Sequence, residues 1–353
     1  MNTKAYIEAF YDAYDEDGRL ASRHGAVEFA VTMTYIERYE KQGMRILEIG
    51  AGTGRYSHTL ARRGFCVDAV ELAEHNIELF RRNTAADEPV TIRQGDARDL
   101  SAFADETYDV TLLLGPMYHL FTRGDQSAAL AEAVRVTKRG GVVFAAYCMR
   151  DAAILQYGFV RGNVLRCIEQ GMLDPESFET HSEPKDVFEL YRREDIDLLR
   201  GALPVTQLHF VASDGFTNHI RETVDAMDDA VYAVWLRYCL ATCERQDMVG
   251  CSHHTIDIFR KNIDRYVNFF VKSMRELDGG FQSVRVKVIG VRAKTEFRPR
   301  NVTCVRTEVK RGIQFTSAAC RSKQFDFLYH NGFCLSVFFH SLKVITLPKK
   351  SGF

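Results

Sequence analysis

The chain has no stretch approaching the roughly 18 consecutive apolar residues that a membrane-spanning helix needs. Residues 1–14 carry Glu8 and Asp12 and have no apolar h-region, so they do not read as a secretory signal. No C-x-x-C pair occurs among the 9 cysteines. An odd number, scattered without pairing, argues against a disulfide frame or a zinc site and for reduced thiols in a cytosol. A cytoplasmic protein without a metal is therefore expected. No internal repeat is visible, which sets aside solenoids and propellers. No catalytic dyad stands out in the sequence either.

What is present is a chain of 353 residues, 46% hydrophobic and 26% charged, enough to bury a sizeable core. That length exceeds the usual single domain, so one large domain with an appendage, or two domains, is expected. The net charge of −1 conceals an asymmetry: residues 262–353 hold 17 Lys/Arg against 6 Asp/Glu, a net of +11, and the remainder carries −12. The same 92 residues contain only 3 alanines but 11 phenylalanines. A boundary near residue 261 follows, with a basic extension of unknown role over 262–353. Three readings of that extension stand: a nucleic-acid-binding tail, an oligomerisation or membrane-surface appendage, and an added segment without selected function. Composition favours the third.

The run Ile46-Leu47-Glu48-Ile49-Gly50-Ala51-Gly52-Thr53-Gly54-Arg55 carries the most information. An apolar strand ends in three glycines at alternate positions before a helix. Glycine tolerates positive φ and has no Cβ, so the backbone of such a turn can approach a ligand closely. A dinucleotide fingerprint needs glycine at positions one, three and six of the loop, and the sixth position from Gly50 is Arg55. Further apolar strands are expected over residues 66–71, 90–93, 109–114 and 141–147, with helical patterns over 72–83 and 126–136 between them. Strands alternating with helices of this length indicate βαβ units and a parallel sheet, whose ligands sit beyond the carboxyl ends of the strands. Glu71 ends the second strand, where a carboxylate can accept hydrogen bonds from ribose hydroxyls.

Around this core, residues 1–42 read as two helices, broken at Asp17-Gly18 and His24-Gly25. Residues 151–200 leave the alternation and read as a cap over the site. Residues 205–211 read as a strand, 220–243 as a long helix, and 253–261 as a seventh and final strand. Beyond it, 263–277 read as an amphipathic helix ended by Gly279-Gly280, and 284–288 as a strand.

Residues 43–261 resemble the class I S-adenosyl-L-methionine (SAM)-dependent methyltransferases of the small-molecule type, close to the ubiquinone/menaquinone methyltransferase-like group. The resemblance is carried by Glu48-Ile49-Gly50-Ala51-Gly52-Thr53-Gly54, Glu71, Gly95-Asp96-Ala97, Leu113-Leu114-Gly115-Pro116-Met117-Tyr118-His119-Leu120 and Arg135-Val136-Thr137-Lys138-Arg139-Gly140-Gly141, in that order. It implies a Rossmann-like α/β fold: a seven-stranded, mostly parallel sheet with helices on both faces and the last strand antiparallel. It also implies a site in which Glu48 belongs to the cofactor motif and Gly50, Gly52 and Gly54 border the methionine portion and the sugar. In that site Glu71 holds the ribose hydroxyls, Asp96 and Ala97 meet the adenine edge, and the backbone at Leu114-Gly115 faces the methionine amino group. Residues 262–353 lie outside it.

The function expected is transfer of the SAM methyl to a small molecule. The rivals are an RNA or protein methyltransferase guided by the basic tail, and a SAM-binding regulator without catalysis. An acidic body disfavours a polyanionic substrate for the core. His119, after the fourth strand, is the candidate base; the competing reading is a packed loop residue. Asp96 is either a cofactor ligand or the cap of a following helix. Tyr118 and Tyr147 are read first as aromatic walls. Tyr11, Tyr14, Arg23 and His24 either cover the substrate or pin an N-terminal helix. His253-His254 point to opposite faces of a strand and are not read as metal ligands, and Cys239 and Cys243 are read as core thiols. Neither the acceptor atom nor the oligomeric state is legible.

Overall fold

A computed structural model describes residues 3–14, 18 and 22–263 together with five strands further on, Val284–Ile289, Gly312–Ser317, Phe325–Phe327, Ser336–Phe339 and Leu342–Thr346. The chain divides into two compact units, Met1–Arg265 and Tyr266–Phe353. In the second, Val284–Ile289 and Phe325–Phe327 pair antiparallel with Gly312–Ser317, and Ser336–Phe339 pairs antiparallel with Leu342–Thr346. The amphipathic helix expected over 263–277 lies outside the described residues, apart from Ile263.

The first unit is built on seven strands: β1 Arg45–Ile49, β2 Cys66–Glu71, β3 Val90–Gln94, β4 Tyr108–Leu113, β5 Thr137–Cys148, β6 Val205–Ala212 and β7 His254–Lys261. Their order is β3-β2-β1-β4-β5-β7-β6. All pairs are parallel except those of β7, which runs antiparallel to both β5 and β6. This is the seven-stranded Rossmann-like sheet expected from the sequence. Its inner strands are apolar on both faces because helices cover both sides: Ile46, Leu47, Val110, Leu112, Leu113, Val143 and Phe144 are buried.

Register brings the functional ends together. Ile49 pairs with Val70 and with Leu113, so β1, β2 and β4 finish at one edge. Because β7 is reversed, its first residue, His254, pairs with Cys148 at the end of β5. Thr255 pairs with Ala212 at the end of β6. Residues 213 and 254 therefore arrive at the edge where the glycine loop lies. The strand order changes direction between β1 and β4, and the crevice at such a switch point is where ligands bind.

Several local expectations change. Gly25 does not break the N-terminal pattern: the helix Arg23–Glu37 runs through it, because Ser22 caps that helix by accepting from Gly25 N at 3.1 Å. The helix expected over 220–243 is two, Arg221–Asp225 and Asp229–Thr242, because Asp228 caps the second by accepting from Val231 N at 2.8 Å. In the cap, the helices Arg150–Ala153, Val164–Glu169 and Arg193–Gly201 flank a strap around Pro184–Asp186. Pro184 of that strap lines the site. Among the described residues, no helix is long and apolar enough to cross a membrane.

Candidate active site

A cavity of about 420 Å3 lies over the carboxyl ends of β1, β2 and β4. At one end stands the glycine loop. Gly50, Gly52 and Gly54 all have positive φ, +77°, +53° and +95°, where L side chains are strained. Two of them also have no room for a Cβ: at Gly50 it would fall 2.5 Å from Pro116 Cδ, and at Gly54 2.5 Å from His58 Nε2. At Gly52 an added Cβ meets no protein atom within 4 Å. Gly52 lines the cavity, so it leaves its backbone open for a ligand.

Glu71 closes this end from β2 and is buried. One carboxylate oxygen accepts from Gly52 N at 2.8 Å and the other from Ala73 N at 2.9 Å. Burial raises its pKa, and these N–H bonds with that from Asn76 work against the rise. With Leu72 N donating as well, four N–H groups hold the carboxylate in place at the cavity wall. Glu48 also borders the cavity but is spent on the fold: Ser57 donates to it through its N–H at 2.9 Å and through its hydroxyl. Burial pushes the Glu48 carboxyl up to about 8, against the two Ser57 bonds, which favour its charged form.

Asp96, Ala97 and Leu114 line the cavity as well. No helix follows Asp96, so it is not a helix cap; its carboxylate takes Arg98 N at 2.9 Å and the Arg98 guanidinium at 2.6 Å. Burial favours its neutral form, but these Arg98 bonds prevail and hold the carboxyl below its usual range.

The other end is assembled from distant segments. Thr3, Lys4, Ile7 and Tyr11 come from the helix Thr3–Ala13, Glu28 and Thr32 from Arg23–Glu37, Ser213 from the residue after β6, and Ile256 from β7. His119 ends the 3-10 turn Pro116–His119 and is buried. Its Nδ1 lies 2.7 Å from the Val187 carbonyl and its Nε2 lies 3.1 Å from the Tyr11 hydroxyl. Burial lowers its pKa, only partly offset by the Val187 bond. Ser213 Oγ is buried with no hydrogen-bond partner among the described residues. A buried hydroxyl left unpaired beside a cavity suits a polar ligand atom.

The remaining candidates fall outside the cavity. Tyr147 is fully buried and does not line it. Arg23 pairs with Asp229 at 2.6 Å and His24 with Asp225 at 2.7 Å, so both pin the helix Arg23–Glu37. Tyr14 stacks on Phe10. Cys239 and Cys243 are buried against Thr217 and Tyr35. Glu28, Asp214 and His254 bring three potential ligand atoms within 4.8 Å. Asp214 is already saturated: one oxygen accepts from Ser252 Oγ, His253 N and His254 N, the other from Asn218 Nδ2 and, at 2.8 Å, His254 Nδ1. Burial opposes a charge on His254, but Glu28 and Asp214 outweigh it and raise its pKa well above the ordinary value. The group is a buried imidazolium between carboxylates that ties the helix Arg23–Glu37 to β7.

Nothing local in the sequence marks Val187, Glu28 or Ser213 as site residues. A valine at positive φ is the opposite of what residue preference suggests, Ser213 enters after the carboxyl end of β6, and Glu28 enters through the docking of the helix Arg23–Glu37.

Residues 46–141 match the family described as "Methyltransferase domain". The chain is 24% identical over 200 residues to the ubiquinone biosynthesis O-methyltransferase of Hahella chejuensis, covering 55% of this chain and 82% of that protein. It is 35% identical to the demethylmenaquinone methyltransferase of Thermobifida fusca, covering 39% of this chain and 57% of that one. A solved SAM-dependent methyltransferase from Methanosarcina mazei superposes with a TM-score of 0.44 at 17% identity, covering 65% of this chain and 98% of that one. The matched segment, residues 46–141, carries the glycine loop, Glu71, Asp96 and Ala97 on this sheet, so this part of the chain is similar to the SAM-dependent methyltransferases.

Proposed function

We propose that the protein transfers a methyl group from SAM to a small-molecule acceptor by in-line displacement, with catalysis resting mainly on positioning. The observation that carries this reading is the glycine loop: three positive-φ glycines, of which Gly50 and Gly52 line a cavity that Glu71, Asp96, Ala97 and Leu114 also line while Gly54 packs behind it against His58 and Phe80. The residues fit the cofactor. Gly52 leaves its backbone open, Gly50 and Gly54 fix the loop, Glu71 is the carboxylate that would meet the ribose hydroxyls, and Asp96 and Ala97 would border the adenine edge. The Leu114-Gly115 backbone faces the methionine amino group, and Glu48 braces the loop through Ser57.

SAM supplies an electrophilic methyl on a sulfonium, whose bonding pair stays with sulfur as the new bond forms. The protein's part is to hold the acceptor in line and exclude water, and orientation alone can lower a barrier by roughly 7–11 kcal/mol. Tyr118, Ile7 and Ile256 form the walls where the acceptor would lie, and His119 is the side chain placed to take a proton. Two relatives are named for quinone biosynthesis, which agrees with a small-molecule acceptor. The acidic body agrees with it too, since like charge slows encounter with a polyanion.

Calorimetric titration is expected to show SAM and S-adenosylhomocysteine binding with NAD inert. Incubation of a metabolite extract with methyl-labelled SAM then identifies the acceptor. Saturable NAD binding without SAM binding would overturn the reading.

A further inference from the structure

We infer that Tyr11 and His119 form a proton relay that removes a proton from the methyl acceptor, so that the acceptor atom is an oxygen or nitrogen bearing hydrogen. The inference rests on the function proposed above and adds a second residue, from the N-terminal helix, to the chemistry.

The hydrogen bonds decide the ring's tautomer. A backbone carbonyl only accepts, so the 2.7 Å contact with Val187 O puts a hydrogen on His119 Nδ1. In the neutral ring Nε2 is then a lone pair, and the Tyr11 hydroxyl donates to it at 3.1 Å. Tyr11 and His119 both line the cavity. The imidazole meets the Tyr11 ring edge to face at 84°, and Phe188 packs with its ring centroid 5.4 Å away. Tyr118 also meets the ring, its centroid 6.2 Å away, so the titratable side chains against it are two tyrosines, and no charged group contributes to the lowering of the ring's pKa, which burial causes. A ring so placed is neutral at pH 7 and can accept a proton.

The backbone behind His119 is strained toward the same end. Val187 has φ +68° and ψ −41°, and Phe188 N donates to Asp186 O at 2.8 Å across it. That is a γ-turn of the rare positive-φ kind, with a β-branched residue at its centre. Such strain persists only where surrounding structure over-determines it, and it concentrates at functional sites. Here Glu189 N donates to Tyr118 O at 2.6 Å, tying the strap to the residue before His119. The turn presents the Val187 carbonyl to Nδ1–H.

In the relay, the acceptor's proton passes to Tyr11 Oη as the Tyr11 hydroxyl proton passes to His119 Nε2. The electron pair left on the acceptor becomes its bond to the methyl carbon. The resulting imidazolium keeps its Nδ1–H bond to Val187 and releases the extra proton to water as product leaves. The relay is complete only with the helix Thr3–Ala13 seated over the cavity.

The test uses the full chain and two readouts. Nitrogen NMR of the His119 ring is expected to show Nδ1 protonated and Nε2 as acceptor, with Tyr11→Phe shifting the Nε2 resonance alone; an Nε2–H ring overturns the relay whether or not an acceptor is known. In kinetics, Tyr11→Phe is expected to lower kcat for an O–H or N–H acceptor by about 10²-fold, with SAM affinity and KM nearly unchanged. The wild-type acid limb should fall below the ordinary histidine value of about 6.5. A variant that keeps kcat but loses KM or SAM affinity makes Tyr11 a structural pin and overturns the relay. A wild-type protein that methylates no acceptor is a failure of the proposed function, which the ring tautomer does not share.

Discussion

The two ends of the cavity are made in different ways. The glycine-loop end is compact in sequence: Glu48 to Ala97 supplies nearly all of it, through backbone geometry and one buried carboxylate on each of β1 and β2. The far end draws Tyr11, Glu28, His119, Pro184, Ser213 and Ile256 from separate segments, and its order depends on side chains pairing across long stretches of chain. An end built from backbone is specified by local residue type, glycine above all. An end built from docked elements can change its side chains while the sheet beneath stays the same, which suits a constant donor and a variable acceptor.

Perturbing the two ends separates them, and the largest effect belongs to the ion pair outside the cavity that seats the far end's helix Arg23–Glu37. His254→Ala removes the countercharge of the buried Asp214 carboxylate, which keeps its other four donors, and breaking a buried pair this way costs up to about 3–5 kcal/mol; chemical denaturation measures it. Because the folded pKa of His254 is raised, its contribution is full below about pH 6.5 and is lost as pH rises through the folded value. Asp214 is held below its ordinary range, so its share persists above about pH 4. The gap between variant and wild type should therefore narrow toward alkaline pH. An equal gap at every pH would mean that the pair is not ionic.

Gly54→Val comes next. It forces a β-branched residue to φ +95° with its Cβ 2.5 Å from His58 and 2.6 Å from Phe80. Strain and overpacking together cost about 2–4 kcal/mol, and S-adenosylhomocysteine binding should vanish with the loop geometry. Gly52→Val, with open space around its Cβ, should spare more stability while still blocking the cavity. Equal stability loss in both would erase the distinction between a packed and a ligand-facing glycine.

Glu71→Ala should weaken SAM by about 1–3 kcal/mol, the range for hydrogen bonds to a charged acceptor, as read by calorimetry. It also frees Gly52 N and Ala73 N, so part of the loss reflects a looser loop. Unchanged affinity would place the ribose elsewhere.

A chain ended after Arg265, the limit of the first compact unit, should stay folded and bind S-adenosylhomocysteine within about threefold of full length, as for removal of a segment outside the core. An insoluble product would show that the basic extension completes the fold. The smallest effect is expected from Ser213→Ala. Its hydroxyl has no partner among the described residues, so removing it should cost nothing and could raise stability by up to about 1 kcal/mol, while acceptor affinity falls.

These contrasts mirror what could be read before the fold was known. The seven strands of the sheet were legible from apolar segments such as Ile46-Leu47 and Val142-Val143-Phe144, although β5 begins at Thr137, directly after a helix, and not at residue 141. The reversal of the last strand came from the family resemblance; alternation of residues does not encode it. Glu71 was legible because it ends a strand 21 positions after the glycine loop. Asp96 was legible as a position but not as a partner of Arg98, since that pairing depends on a turn with no periodic signal. The break at Asp228 was hidden because apolar spacing continues on both sides of it.

By itself the sequence determined the strands and the glycine loop, because apolar segments and glycines at required φ values act locally, and the order of its motifs carried the resemblance that implied the class of cofactor. Tertiary structure alone decided that Tyr11, 108 residues before His119, donates to it, that a strained valine orients the same ring, and that Ser213 faces the cavity. Those relations arise from packing of elements far apart in the chain, where burial and hydrogen-bond satisfaction select partners that no local pattern names.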